Sequence, residues 1–481
     1  MERGFYSGTV WLLFHQLVTR TINFFSGIVI ARLLTPLDFG LMNLATTFSN
    51  LVMAVGNIGV GHFLIYQPEE RQEYLTAGFW LGMTASLGLF LIQVAVAPLV
   101  ATFYGTPIVA PVMIVLGITF FLIAPLGGIH QTVLQKRMQY RRLIIPQIVM
   151  TLVGTGLTIL LAALGWGVWS LALPGLVAFP LGVAVTWAVC DFRPSFQLHR
   201  KYWREIFRYG RNVLGSELIT FVNNNADYIL IGKLLGATLL GFYSFAYAQS
   251  MMIVVLMTGV FSQVVFPIFA RLQNHREELQ TTYLRFLRRG TAVMVPLTLL
   301  QMVAAEEFIG FLYSEKWADA ITPFRFLLLY AVGRSLALGA MELLNAVGRP
   351  DLGFKFSLAM APVFTAVVIL GTHWGIAGVA AATGIVFGGA QLILVGLVLR
   401  LFRWRWAAYA EAIRPALQAA AVVALASAAV RLLARQQGAP EAMILLLTLA
   451  VGGLAHIVML RRYFIEEAKA LRQLLFGGVP H

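Results

Sequence analysis

The sequence predicts an all-α integral membrane protein of about fourteen transmembrane helices. They are expected to form two pseudo-symmetric six-helix lobes around a central cavity, with two further helices at the C-terminal end. Three observations predict this: the composition and its charge pattern, a segment that occurs twice, and polar residues confined to one face of apolar helices.

Composition comes first. Of 481 residues 59% are hydrophobic and 12% charged, with mean hydropathy +0.80. Soluble domains carry about a quarter charged residues. Here the charges gather in islands between apolar blocks of about twenty residues, the length that crosses ~30 Å of hydrocarbon. In chain order the blocks cover 8–31, 40–65, 77–102, 108–128, 143–164, 168–190, 212–232, 239–268, 290–312, 322–345, 356–372, 376–399, 415–433 and 439–460.

The formal charge of +14 is a topology code and excludes a nucleic-acid role. With the N-terminus in the cytoplasm, alternate loops hold 27 Lys and Arg against five. Such a bias in short loops orients a membrane protein, and it places both termini in the cytoplasm, facing anionic membrane lipids. Gly8 to Ala31 is too long for a cleavable signal and is expected to stay as an anchor. The single cysteine, Cys190, excludes an intrachain disulfide and a cysteine metal site.

The second observation is a repeat. IVIARLLTPLDFGLMNLA from Ile28 aligns without gaps on ILIGKLLGATLLGFYSFA from Ile229, offset by 201, with six of eighteen positions identical. Trp166-Gly167 recurs as Trp374-Gly375, offset by 208. The repeat divides the chain into a first lobe at 1–190, an interfacial linker at 191–211, a second lobe at 212–400, and two final helices with a tail at 401–481. The linker mixes aromatic and basic residues as interfacial helices do, and the stretch from Arg271 to Arg289 reads the same way. Internal repeats are how many transporters build a site between two moving halves.

Third come the polar faces. His15, Thr19, Asn23 and Ser26 share one side of span 1, flanked by Gln16 and Arg20. In span 7, Glu217, Thr220, Asn224 and Asp227 fall within about 80° of one another at 100° per residue. Asn223 and Asn225 adjoin them, Asn43, Asn50 and Asn57 are spaced by sevens in span 2, and Arg334, Glu342 and Asn345 share a side of span 10. Ionisable or amide groups facing lipid are costly, so a wet cavity between the lobes is expected. The bland alternative, interhelical hydrogen bonding, is preferred for isolated residues such as Asn57, Gln263 and Gln391. Before Asp191 the acids are Glu2, Asp38, Glu69, Glu70 and Glu73, all outside the spans, so Glu217 and Asp227 are the ion-coupling candidates. The chain has no GxxxxGK[ST] phosphate loop, no HExxH and no compact nucleophile–base–acid cluster. The reading is therefore transporter rather than enzyme, with no cofactor or metal and with a proton or sodium gradient as the energy source left open.

GTVWLLFHQLVTRTINFFSGIVIARLLTPLDFGLMNLA with NIGVGHFLIYQPE resembles the N-terminal signature of Wzx-type polysaccharide flippases, nearest the WzxC-like branch. VVFPIFARLQ, YSEKWADAITPFRFLLLYA and LLNAVGRPDLGFK resemble that family's later blocks. The family belongs to the multidrug/oligosaccharidyl-lipid/polysaccharide (MOP) exporters. The resemblance implies a fold like the multidrug (MATE) members, fourteen helices in two lobes, in the bacterial cytoplasmic (inner) membrane. It implies a flippase moving undecaprenyl-diphosphate-linked oligosaccharide from the cytoplasmic to the periplasmic leaflet, serving polysaccharide polymerase and glycosyltransferases. Arg20, with Arg334 as the second candidate, matches the cavity arginines that take the pyrophosphate. Sugar contacts are expected from His15, Thr19, Asn23, Asn43, Asn50, Asn223, Asn224 and Asn225. A cation-coupled multidrug exporter, a lipid II flippase and a non-transport scaffold are the alternatives.

Overall fold

The computed structural model describes residues 2–56, 64, 71–196, 202–203, 221 and 225–463. Among these, every regular element is helical. Nine helices are long and apolar enough to cross a membrane, and three bent pairs bring the number to as many as twelve. The chain is a multi-pass membrane protein. It divides into two compact units, Met1–Ser244 and Phe245–His481.

In the first unit, α1 (Glu2–Leu33) turns by 119° into α2 (Pro36–Gly56). The sequence LTPLD explains the turn. Thr35 is the N-cap, Pro36 takes the first helical position where no N–H is needed, and the Thr35 N–H and Oγ1–H donate to Asp38 Oδ2 at 2.9 and 2.6 Å. α3 (Gln72–Tyr104) stops at Gly105, whose φ of 64° only glycine adopts freely. α4 (Val109–Gly117) runs through a π segment, Ile118–Ile123, and bends by 46° into α5 (Pro125–Lys136). α6 (Tyr140–Ala163), α7 (Trp169–Ala172) and α8 (Gly175–Val189) complete this bundle. A buried amide ties it together: Gln93 Nε2 donates to Ser49 Oγ at 3.0 Å and to the Met113 carbonyl at 2.5 Å, joining α3 to α2 and α4.

Residues 191–195 form no helix, while 197–201 and 204–211 of the expected interfacial linker lie outside the described residues. Pro194 accounts for the missing helix at its start, since it lacks a donor and disfavours helix at Arg193. This segment is held to α3. Gln72 Nε2 donates to the Arg193 carbonyl at 2.7 Å, and Trp80 Nε1 to the Ser195 carbonyl at 2.8 Å. Further along, Tyr202 donates to Glu73 Oε2 at 2.6 Å. Helical residues 225–234 and the first turns of α9 (Ala237–Leu272), which the sequence places with the second bundle, also belong to this unit.

The second unit begins within α9. α10 (Arg276–Val303) carries the basic stretch before Arg289 as a continuous extension of its span, where a separate surface helix was expected. Leu279, Tyr283 and Leu287, four apart, are buried against Phe269 and Trp404, and that packing carries the helix onward. At Ala304 the chain bends by 72° into α11 (Ala305–Tyr313). α12 (Ile321–Leu336) and α13 (Ala340–Ala346) are separated at Gly339, φ 78°. α14 (Pro350–Thr372), α15 (Gly375–Ala382), a π segment at Thr383–Phe387 and α16 (Gly388–Phe402) follow. α17 (Trp406–Gln436) and α18 (Glu441–Tyr463) pack against α10. An ion cluster joins α17 to α11 and α12: Glu307, 2% exposed, takes Arg431 Nε on both oxygens at 2.9 Å and Arg435 Nη2 at 2.7 Å. Glu306 pairs with Arg431, Arg435 and Arg325.

The Trp-Gly echo falls on like turns. Gly167 and Gly375 both turn the chain with positive φ, 55° and 67°. Each follows a long helix, α6 or α14.

Candidate functional site

α1 is one continuous helix, so the spacing argument for its polar face holds in three dimensions. His15, Thr19 and Arg20 are half-buried, Asn23 is exposed, and Ser26 is buried and donates to the Asn23 carbonyl at 3.3 Å. His15 Nε2, Gln16 Oε1 and Thr19 Oγ1 are buried without a hydrogen-bond partner among the described residues.

The first unit brings two other predicted residues together around the start of α9. Asn43 Nδ2 donates to the Phe39 carbonyl and to Ser244 Oγ, both at 2.8 Å. Asp227 is buried, 3% exposed; its Oδ2 accepts from the Tyr243 hydroxyl and its Oδ1 from the Tyr228 N–H, both at 2.9 Å. Adjacent residues of one helix, Tyr243 and Ser244, thus reach Asp227 and Asn43. Close backbone approach permits it. A Cβ on Gly40 would overlap the Ala237 carbonyl oxygen and lie 3.2 Å from Gly241 N, while a Cβ on Gly241 would overlap the Pro36 carbonyl oxygen and lie 3.1 Å from Gly40 N.

That contact is reciprocal. Positions 36, 40 and 43 meet 237, 241 and 244, their equivalents at the offset of 201. Sequence reading missed Tyr243 and Ser244, although the repeat alignment had set Ser244 opposite Asn43.

The other predicted residues lie elsewhere. Asn225 Nδ2 donates to the Phe221 carbonyl at 2.9 Å, within its own helix, and Asn50 is exposed on α2. Arg334 belongs to the second unit, half-buried in the last turn of α12, its guanidinium 5.9 Å from the centre of the Tyr330 ring. A turn at Gly339 stands between it on α12 and Glu342 and Asn345 on α13, within one span from Glu315 to Ala346. Asn57, Glu217, Thr220, Asn223 and Asn224 lie outside the described residues.

With this geometry in view, comparison with known proteins is informative. The family described as "Polysaccharide biosynthesis protein" matches residues 29–322. The lipopolysaccharide biosynthesis protein WzxC of Escherichia coli K12 is 22% identical over 402 residues, covering 82% of this chain and 80% of that protein. The teichuronic acid biosynthesis protein TuaB of Bacillus subtilis is 25% identical over 435 residues, covering 89% of each. The succinoglycan biosynthesis transport protein ExoT of Rhizobium meliloti is 24% identical over 75% of this chain and 73% of its own. Among solved structures, the lipid II flippase MurJ in an inward closed conformation superposes with a TM-score of 0.68 at 14% identity, covering 96% of this chain and all of MurJ. An inward-facing MATE multidrug transporter of the MOP superfamily gives 0.60 at 17% identity, over 84% of this chain and 99% of its own. At these identities the structural likeness speaks for the fold.

Proposed function

Because this chain belongs to the polysaccharide biosynthesis protein family, we propose that it flips undecaprenyl-diphosphate-linked oligosaccharide from the cytoplasmic to the periplasmic leaflet. The observation that carries this reading is the polar face of α1. It holds Arg20 between His15, Thr19 and Asn23, with three buried polar atoms facing no partner among the described residues. A guanidinium is always charged and matches phosphate in a planar, two-pronged way. Arg20, with Arg334, takes the diphosphate in this reading; the amides and hydroxyls take sugar.

In full, the proposal has fourteen helices, two pseudo-symmetric lobes around a central cavity, and both termini in the cytoplasm. The charge rule then sets the starts of α2 and α9 at the periplasmic side, so the Gly40–Gly241 contact and the Asn43–Ser244 bond act as an outer gate. Transport proceeds by parting that gate as the inner side closes. Asp227, bonded to Tyr243 beside the gate, is the described candidate for coupling to a proton or sodium gradient, with Glu217 the second.

The test is transbilayer movement in proteoliposomes. A fluorescent polyprenyl-diphosphate oligosaccharide, a lipid II analogue and a lipophilic cationic drug are compared, in the chain as it stands and with Arg20→Ala. Oligosaccharide flipping that Arg20→Ala abolishes is the expected result. Movement of the drug alone would assign the chain to multidrug export, and movement of lipid II alone to that substrate.

A further inference from the structure

We propose that a buried polar seam between α10, α17 and α18 binds water and carries protons from the outer ion cluster to His456. The seam lies wholly within the second unit. The word "outer" rests on the charge-rule orientation, but nothing in the seam depends on the transported substrate.

The first clue is a contrast among buried hydroxyls. Ser49, Thr186, Thr291, Thr298 and Ser335 each donate to the carbonyl four residues back, at 2.7 to 2.9 Å. Ser427 and Thr448 are equally buried, 0% and 1% exposed, yet their oxygens have no hydrogen-bond partner among the described residues. Neither do Gln301 Oε1 and His456 Nδ1, the latter in a side chain 7% exposed. Buried polar groups are satisfied by protein or by ordered water, and internal waters make about three such bonds each. Four unpaired atoms on three packed helices point to one shared water file.

The register supports this. α17 and α18 are antiparallel about their connection at 437–440, so equal distances from it lie level. At about 1.5 Å per residue, Ser427 is about 14 Å from the end of α17, and Thr448 about 10 Å from the start of α18. Gly452, one turn beyond Thr448, faces Ser427: a Cβ there would lie 2.5 Å from Ser427 Oγ and from Leu300 Cδ1. His456 is one further turn inward on the same face. Each four-residue step rises about 6 Å, and one water bonded at about 2.8 Å on either side spans nearly that distance. Outward, Arg431 stands one turn from Ser427 and is paired to buried Glu307. The file therefore starts at the ion cluster and ends at an imidazole about 22 Å below the start of α18.

The charged groups on the elements packed around His456 form two belts. Glu306, Glu307, Arg431, Arg435 and Glu441 lie towards the outer side. Arg288, Arg289, Glu411, Arg414, Arg461 and Arg462 lie towards the inner side, with Arg288 Nη2 3.4 Å from the Tyr463 carbonyl. Between the belts His456 takes a proton from hydronium in the file, giving imidazolium and water, and returns it by the reverse step.

The test uses the full chain with Cys190→Ser, carrying Ser427→Cys or Thr448→Cys in oriented vesicles. A membrane-impermeant methanethiosulfonate is expected to label both from the outer face, while the core control Val395→Cys, at a position 0% exposed, stays unlabelled. In parallel, histidine-labelled protein in nanodiscs is followed by NMR, with His456→Gln assigning the resonance, which is expected to shift between pH 5 and 8. Thiols as unreactive as Val395→Cys in folded protein but reactive after unfolding would overturn the water file. A pH-invariant His456 resonance would overturn the proton site. Neither readout measures transport, so failure of oligosaccharide flipping leaves this proposal standing, and the reverse.

Discussion

Replacing Gly40 with alanine tests the reciprocal contact directly. The added methyl would occupy the Ala237 carbonyl oxygen. A carbon and a carbonyl oxygen rest at about 3.3–3.6 Å, so the two backbones must part by about 1.5 Å. That shift carries Asn43 Nδ2 and Ser244 Oγ from 2.8 Å to about 4 Å, past the limit of a hydrogen bond. The lost bond costs about 1 kcal/mol, and the forced repacking about 1–3 kcal/mol more. A total near 2–4 kcal/mol is a shift of about 30- to 700-fold against the arrangement seen here. The assay is accessibility of Ser244→Cys, in a Cys190→Ser background, to an impermeant thiol reagent: Gly40→Ala is expected to raise the labelling rate. Gly241→Ala should act alike, since its methyl meets Pro36 in the same way. The double variant should be clearly less than additive, because helices parted by one methyl already have room for the other. Gly27→Ala, with nothing within 4 Å of the new methyl, is the inert control. Full additivity, or labelling unchanged in both single variants, would refute a shared crossing.

Two other perturbations probe the buried charges. Tyr243→Phe removes one of the two donors to Asp227 while keeping the ring, and is expected to destabilise the fold by about 1–3 kcal/mol, an effect that Asp227→Asn in the same chain should relieve in thermal unfolding. Glu307→Gln leaves Arg431 and Arg435 sharing Glu306 alone; it should cost about 3–5 kcal/mol in stability, with Leu substituted for all of Glu307, Arg431 and Arg435 recovering part of the loss.

Helicity and the order of the spans were legible because apolar runs of this length have one stable form in a bilayer. The polar face of α1 was legible for a similar reason: helix periodicity fixes sides within one helix. What a side chain meets on the next helix is not encoded in that periodicity. Asn43 therefore read as a cavity amide, and its bond to Ser244 emerged only in three dimensions. The charged residues at 306, 307, 431 and 435 lie on α11 and α17. Their sequence neighbours gave no hint of partners about 125 positions away. Breaks were missed where no proline marks them, as at Ala304 and Gly339. Continuity was missed at α10, because buried Leu279, Tyr283 and Leu287 outweigh the basic residues between them.

The repeat links these observations. The crossing of α2 with the start of α9 is reciprocal, and that gives it a property other helix crossings lack. Parting the two helices changes both halves of the contact together, because Gly40 rests on Ala237 and Gly241 on Pro36 in the same way. Glycine at both positions lets the backbones close fully, and a single hydrogen bond, Asn43 to Ser244, adds only about 1 kcal/mol to holding them. A contact that is close but weakly bonded can form and part repeatedly at small cost. Large side chains interlocked at the same place would bind the helices too firmly for that, which is why a crossing made of glycines beside short polar residues suits a gate better than a permanent joint.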